Sequence, residues 1–136
     1  MQLVVKGYSK YNEEEILNLY KSVGWLNYTS NPAMLKNAYK NSLKILGAYD
    51  ADKLVGIIRV GGDGYSIVYI QDMIVLPEYQ RKGIGTLLLE KILFEYENVY
   101  QKVLMTDNTE KTIRFYKSAG FMADTDIDSV AFLKIY

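Results

Sequence analysis

The stretch Val75-Leu76-Pro77-Glu78-Tyr79-Gln80-Arg81-Lys82-Gly83-Ile84-Gly85-Thr86 limits what this chain can fold into more than any other. An apolar strand runs into Pro77, a basic turn follows, and Leu87, Leu88 and Ile92 then recur at helical spacing. A helix opening directly from such a turn aims several unpaired backbone N–H groups and the positive end of its dipole at one point. That arrangement suits a phosphate. The spacing Gln80-x-x-Gly83-x-Gly85 sets it apart from other phosphate loops. The P-loop pattern is absent, and Leu88 occupies the place of the third glycine in a dinucleotide fingerprint.

The elements around this turn can be placed from local pattern. Asn12 followed by Glu13, Glu14 and Glu15 starts a helix whose apolar face is Ile16, Leu19, Tyr20 and Val23, with Gly24 to end it. Asn31-Pro32 starts a second helix, running to about Leu43. Leu3–Lys6, Ile45–Tyr49 and Leu54–Val60 have strand character, the last two joined by Asp50-Ala51-Asp52-Lys53. Gly61-Gly62-Asp63-Gly64 turns into a long strand, Tyr65–Leu76. Beyond the helix at Lys82–Tyr96 come a strand at Val99–Met105, a helix from Thr109 to Ala119 closed by Gly120, and a strand at Val130–Tyr136. Antiparallel strands followed by a β-α-β crossover predict an α/β fold with a mixed central sheet flanked by helices, in one domain over residues 1–136.

Composition excludes several chemistries. Sixteen basic and sixteen acidic residues cancel, which leaves no broad electrostatic footprint for nucleic acid or an anionic membrane. No apolar run is long enough to span a bilayer, and the N-terminus lacks a signal-peptide pattern, so the expected location is the cytoplasm. With no cysteine and no histidine, no disulfide forms, a zinc site is not expected, and neither a Ser-His-Asp system nor a cysteine acyl-enzyme can exist. Proton transfer falls to Tyr, Asp, Glu, Lys, water or the backbone.

Strand, V-x-P-x-x-Q-x-x-G-x-G, then helix resembles the acyl-CoA pyrophosphate loop of the GNAT acetyltransferase superfamily, and the order of elements is similar over nearly the whole chain. The resemblance implies acetyl-CoA as cosubstrate, with no metal. Backbone N–H groups of Arg81, Lys82, Gly83, Ile84, Gly85 and Thr86 would hold the pyrophosphate, with Gln80 bracing the loop. Arg81 and Lys82 also offer their charge, unless solvent claims it. The end of the preceding strand, at Met73, Ile74 and Val75, would splay from its neighbour and pair with the pantetheine arm. A backbone N–H there could polarise the thioester carbonyl.

Phe115-Tyr116-x-x-x-Gly120-Phe121 resembles a second motif of the family, in which the tyrosine approaches the CoA sulfur and protonates the departing thiolate. Two departures stand out. The residue seven before Tyr116 is Thr109 rather than asparagine, with Asn108 one earlier, which leaves an Asn108 contact open. The position that often carries a basic glutamate, six before Val75, is Tyr69. Asp72 is the alternative base, or else a structural carboxylate bonded to backbone, and Glu78 is expected to be solvated. For the acceptor side the expected residues are Trp25, Tyr28, Tyr65 and Tyr69. The implied activity is direct acetyl transfer in a ternary complex to a primary amine, on a small molecule or a peptide. A homodimer is left open, and the alternative is a non-catalytic acyl-CoA-binding module of the same fold.

Overall fold

The computed structural model describes residues 1–135; Tyr136 lies outside the described residues. The chain forms two compact units, Met1–Leu104 and Met105–Tyr136. In the first, strands β1 (Leu3–Gly7), β2 (Lys44–Asp50), β3 (Lys53–Gly62), β4 (Ile67–Val75) and β5 (Gln101–Leu104) form one sheet in that order. Neighbours from β1 to β4 pair antiparallel, and β5 lies parallel to β4. The parallel step requires a crossover, supplied by helix α4 (Ile84–Glu95). Helices α1 (Glu13–Ser22), α2 (Leu26–Thr29) and α3 (Pro32–Lys40) intervene between β1 and β2. This is the mixed sheet flanked by helices that the sequence pattern predicts.

Helix starts follow the capping residues. Asn12 accepts from the Glu15 N–H at 3.1 Å and Asn31 from the Met34 N–H at 3.3 Å. Three boundaries move for physical reasons. Helix α3 stops at Lys40, short of Leu43, because the Leu43 N–H is drawn to the Val60 carbonyl at the sheet. Strand β4 begins at Ile67, since the Asp63 carboxylate takes the N–H groups of Tyr65, Ser66 and Ile67 into a turn. Helix α4 begins at Ile84 because Arg81 and Gly83 before it are left-handed, with φ of 64° and 80°.

Strand β3 is buried on both sides from Leu54 to Val60. One face meets α4, where a Cβ at Gly56 would lie 3.4 Å from Leu88 and 3.5 Å from Ile84. The other face carries Arg59 and Asp72, which meet α1 through Tyr20. Between Arg59 and Val60 the β3–β4 register shifts, so that Gln71 and Asp72 together face the single residue Arg59. This bulge aims both side chains at the α1–α2 face, where Gln71 meets Tyr28 and Asp72 meets Tyr20.

The second unit holds helix α5 (Glu110–Ser118), capped by Thr109, and a single 3-10 turn at Asp124–Ile127. The strand expected at Val130–Tyr136 does not form over 130–135, and its last residue lies outside the described region. Asp124 Oδ2 accepts from the Ala131 N–H at 2.7 Å, and the Asp124 carbonyl accepts from the Ser129 N–H at 3.0 Å. Those bonds fold the segment back on its own turn in place of a ladder. No helix among the described residues is long and apolar enough to cross a membrane.

Candidate acyl-donor and acceptor site

Strand β4 and helix α4 are joined by Leu76, a 3-10 turn at Pro77–Tyr79, and Gln80 to Gly83. Gln80 Nε2 donates to the Val75 carbonyl at 3.0 Å and ties the loop to the end of the strand. The left-handed Arg81 and Gly83 then reverse the chain into α4. The Gly83 carbonyl accepts the first intrahelical bond, from Leu87, and no side chain caps this terminus. The N–H groups from Gly83 to Thr86 therefore precede the first turn's acceptors, at the positive end of a twelve-residue helix. A Cβ on Gly83 would meet nothing within 4 Å, so the space in front of the loop is open. A Cβ on Gly85 would lie 3.7 Å from Met73 Cε, an ordinary contact, so this position does not need to be glycine for space within the fold. Lys82 lies over the Tyr79 ring at 5.8 Å, and both Arg81 and Lys82 are exposed.

Pairing between β4 and β5 runs from Ile67 to Ile70 and ends there, opposite Leu104. From Asp72 to Val75, β4 continues to pair with β3 but has no strand on its other side among the described residues. Met73, Ile74 and Val75 sit on this open edge, immediately before the loop.

Behind the bulge lies a buried polar network that sequence reading captured only in part. Asp72 is 2% exposed, and its Oδ2 takes a bond from Arg59 Nε at 2.8 Å and one from the Tyr20 hydroxyl at 2.6 Å. The Tyr20 and Tyr39 hydroxyls are 3.0 Å apart, and Arg59 also donates to Ser42 Oγ at 3.3 Å. Burial first, then the neighbouring Tyr39 and Asp72, pushes the Tyr20 phenol far above the ordinary tyrosine value. Burial likewise raises Tyr39, with the Tyr20 hydrogen bond partly opposing it. Of the two openings the sequence left for Asp72, this geometry favours a structural carboxylate, bonded to side chains in place of backbone. Arg59, Tyr20 and Tyr39 were missed. Their trace in the sequence is a lone cation in the apolar run Leu54–Val60, and a lone acid in the neighbouring strand.

A cavity of about 320 Å³ opens beside this network, lined by Asn41, Ser42, Arg59, Tyr69 and Gln71 together with Ala38, Gly61 and Gly62. Of the expected acceptor residues, Tyr69 lines it directly, and Tyr28 is one bond away, accepting from Gln71 Nε2 at 3.2 Å. Trp25 packs edge-on against Tyr20 and tilted against Tyr28 as part of an aromatic cluster. Tyr65 is 86% exposed on the β3–β4 turn and lies outside this lining. Glu78 is exposed, within 4.0 Å of Lys53.

In the second unit Tyr116 is half-buried between Phe115 and Phe121, with ring centroids 5.0 and 5.8 Å away, both edge-on. Its burial raises the phenol above the ordinary tyrosine value. Asn108 is exposed just before α5. No cluster of metal-ligating side chains occurs among the described residues.

A mixed sheet with an open β4 edge feeding an uncapped βα loop defines the class of acyl-CoA acyltransferase folds. Residues 41–123 match the family model described as acetyltransferase (GNAT) domain, and the chain belongs to that family. A solved GNAT-family acetyltransferase from Streptococcus pneumoniae TIGR4 is 41% identical, with a TM-score of 0.89 over 99% of this chain and 98% of its own. The PaiA N-acetyltransferase of Thermoplasma acidophilum in complex with coenzyme A shares the fold at 21% identity and a TM-score of 0.74, covering 93% of this chain and 94% of its own. An uncharacterized N-acetyltransferase, ycf52, of Gracilaria tenuistipitata var. liui is 29% identical over 87% of this chain. The chain spans 66% of that relative's length.

Proposed function

We propose that residues 1–136 work as one cytoplasmic GNAT domain that transfers the acetyl group of acetyl-CoA to a primary amine, with both substrates bound together. The observation that carries this reading is the uncapped start of α4 behind left-handed Arg81 and Gly83, next to the open edge of β4. It is a phosphate cradle continuous with an unpaired strand edge, which fits the phosphates and the amide-bearing arm of one ligand. The Thermoplasma neighbour, bound to coenzyme A, is a precedent for that ligand on this fold.

Roles follow from the chemistry available. Gly83 to Thr86 bind pyrophosphate through backbone N–H groups, and Met73 to Val75 orient the arm and supply an oxyanion donor. The thioester contributes the acetyl group: the amine nitrogen bonds to the carbonyl carbon, the carbon–sulfur bond breaks, and the sulfur leaves with the electron pair. Tyr116 protonates that sulfur, a role resting on the Phe115-Tyr116-x-x-x-Gly120-Phe121 motif. The amine proton leaves to water. Asp72, whose Oδ2 already serves two donors, holds the strand bulge in place. Positioning two bound substrates provides most of the acceleration.

Thermal shift with acetyl-CoA, ATP and NAD, paired with thiol release across an amine panel, tests the reading. Acetyl-CoA at a hundredfold its Kd should add about 2.7 kcal/mol of stability. A response to NAD alone would overturn the proposal. Binding of acetyl-CoA without transfer to any amine would favour the non-catalytic module.

A further inference from the structure

The cavity beside β4 has an unusual lining for an enzyme that acts on amines. An amine is a cation until it sheds its proton, and a pocket that recognises the amine alone would present carboxylates to it. Here the lining side chains are Asn41, Ser42, Tyr69 and Gln71, all uncharged, together with Arg59. No aspartate or glutamate lines this cavity among the described residues, because Asp72 is turned into the α1 interface by its bonds to Tyr20 and Arg59.

Arg59 is held rigidly for a purpose its own packing does not exhaust. Nε is committed to Asp72, Nη1 reaches Ser42 only at 3.3 Å, and no bond from the described residues falls on Nη2. A guanidinium carries five N–H donors in a planar fork matched to carboxylate and phosphate oxygens. Asp72 and the Tyr39 ring, 5.6 Å from the guanidinium carbon, fix the plane of that fork. Gly61 and Gly62 line the cavity with backbone, which leaves room beside the fork. At about 320 Å³ the space suits a ligand at the small end of the range for bound metabolites.

We infer that this cavity binds an oxyanion group, carboxylate or phosphate, carried by a small amine, with Arg59 as the residue that selects it. The inference rests on the transferase reading only in making that amine the acetyl acceptor. Arg59 binds the anionic end, while Asn41, Tyr69 and Gln71 satisfy the remaining polar atoms. A diamine of equal length is rejected because its second ammonium would face the guanidinium.

The test is calorimetric titration of the full chain, without acetyl-CoA, with three amines that share an aminoethyl unit: β-alanine, O-phosphoethanolamine and ethylenediamine. At least one oxyanion probe is expected to bind roughly 10- to 100-fold more tightly than ethylenediamine, the range of a charge-assisted contact. Preference between the first two distinguishes carboxylate from phosphate. Equal or tighter binding of ethylenediamine, or no binding by any probe, overturns the inference. Arg59→Gln strands Asp72 and can fail to fold, so the informative variant is Asn41→Asp, at an exposed residue on the rim. It should remove the oxyanion preference and improve ethylenediamine binding; unchanged selectivity would place the probe elsewhere and also overturn the inference. Because acetyl-CoA is absent, failure of acetyl transfer leaves this outcome readable.

Discussion

Replacing Asp72 with asparagine separates two roles that the sequence left open. The change keeps the side chain's size and one acceptor oxygen but deletes the charge beside Arg59, whose side chain is 10% exposed. Removing one partner of a buried ion pair leaves the other charge desolvated and uncompensated, which costs about 3–5 kcal/mol. The retained amide oxygen can still accept from Tyr20 or Arg59, so Asp72→Asn belongs at the low end, about 3 kcal/mol. At roughly 3 °C per kcal/mol for a chain of this length, the midpoint should fall by about 10 °C. Urea unfolding at neutral pH measures the loss directly. The double variant Arg59→Met/Asp72→Leu, which replaces the pair with apolar groups of similar volume, should recover most of it. A cost below about 1 kcal/mol for Asp72→Asn would refute the buried-pair reasoning. If Asp72 were instead the base, kcat/KM would fall about 10²–10⁴-fold at neutral pH and recover at high pH, where the amine deprotonates unaided. A loss of activity that follows the folded fraction, without that recovery, is the expected result.

Gly83→Val should strain the left-handed turn by about 1–2 kcal/mol while reducing CoA affinity much further, because a Cβ there meets only open space within the fold; unchanged affinity in the folded variant removes the loop from the site. Tyr116→Phe keeps the rings packed but deletes the proton donor, so CoA binding should hold while kcat drops about 10²–10⁴-fold. Equal turnover by both proteins with a poor leaving thiol would reduce Tyr116 to packing. Tyr20 and Tyr39 hold their protons more tightly in the folded state than at the ordinary value of 10.0. Their stabilisation is therefore complete below pH 10 and is lost as pH rises from there, by up to about 1.4 kcal/mol per pH unit for each group. Tyr20→Phe should flatten that alkaline decline in unfolding free energy, and identical slopes would count against it.

What could be read from the sequence, and what could not, divides by the range of the interactions. The cap at Asn12, the Pro32 helix start and the loop from Val75 to Thr86 are set by contacts a few residues apart, and each stands where local chemistry puts it. The strand expected at Val130–Tyr136 does not form over 130–135 because a nearly continuous apolar run says nothing about a ladder partner, whereas Asp124 offered its backbone a nearer one. The Arg59–Asp72 pair joins residues thirteen apart on adjacent strands, and only the β3–β4 register with its bulge brings them together. That register also explains why the proposed acceptor side was read from its aromatics and not its charge. Trp25, Tyr28 and Tyr65 stand out in the sequence as large side chains near loops, but Arg59 sits inside a strand otherwise made of core residues. A cation in such a place must be neutralised, and one carboxylate suffices to do so. The pair thus solves a folding problem and leaves unbonded guanidinium N–H groups beside a cavity. Folding accounts for the presence of Asp72 opposite the bulge; it does not account for a guanidinium where an apolar side chain would have served the core better.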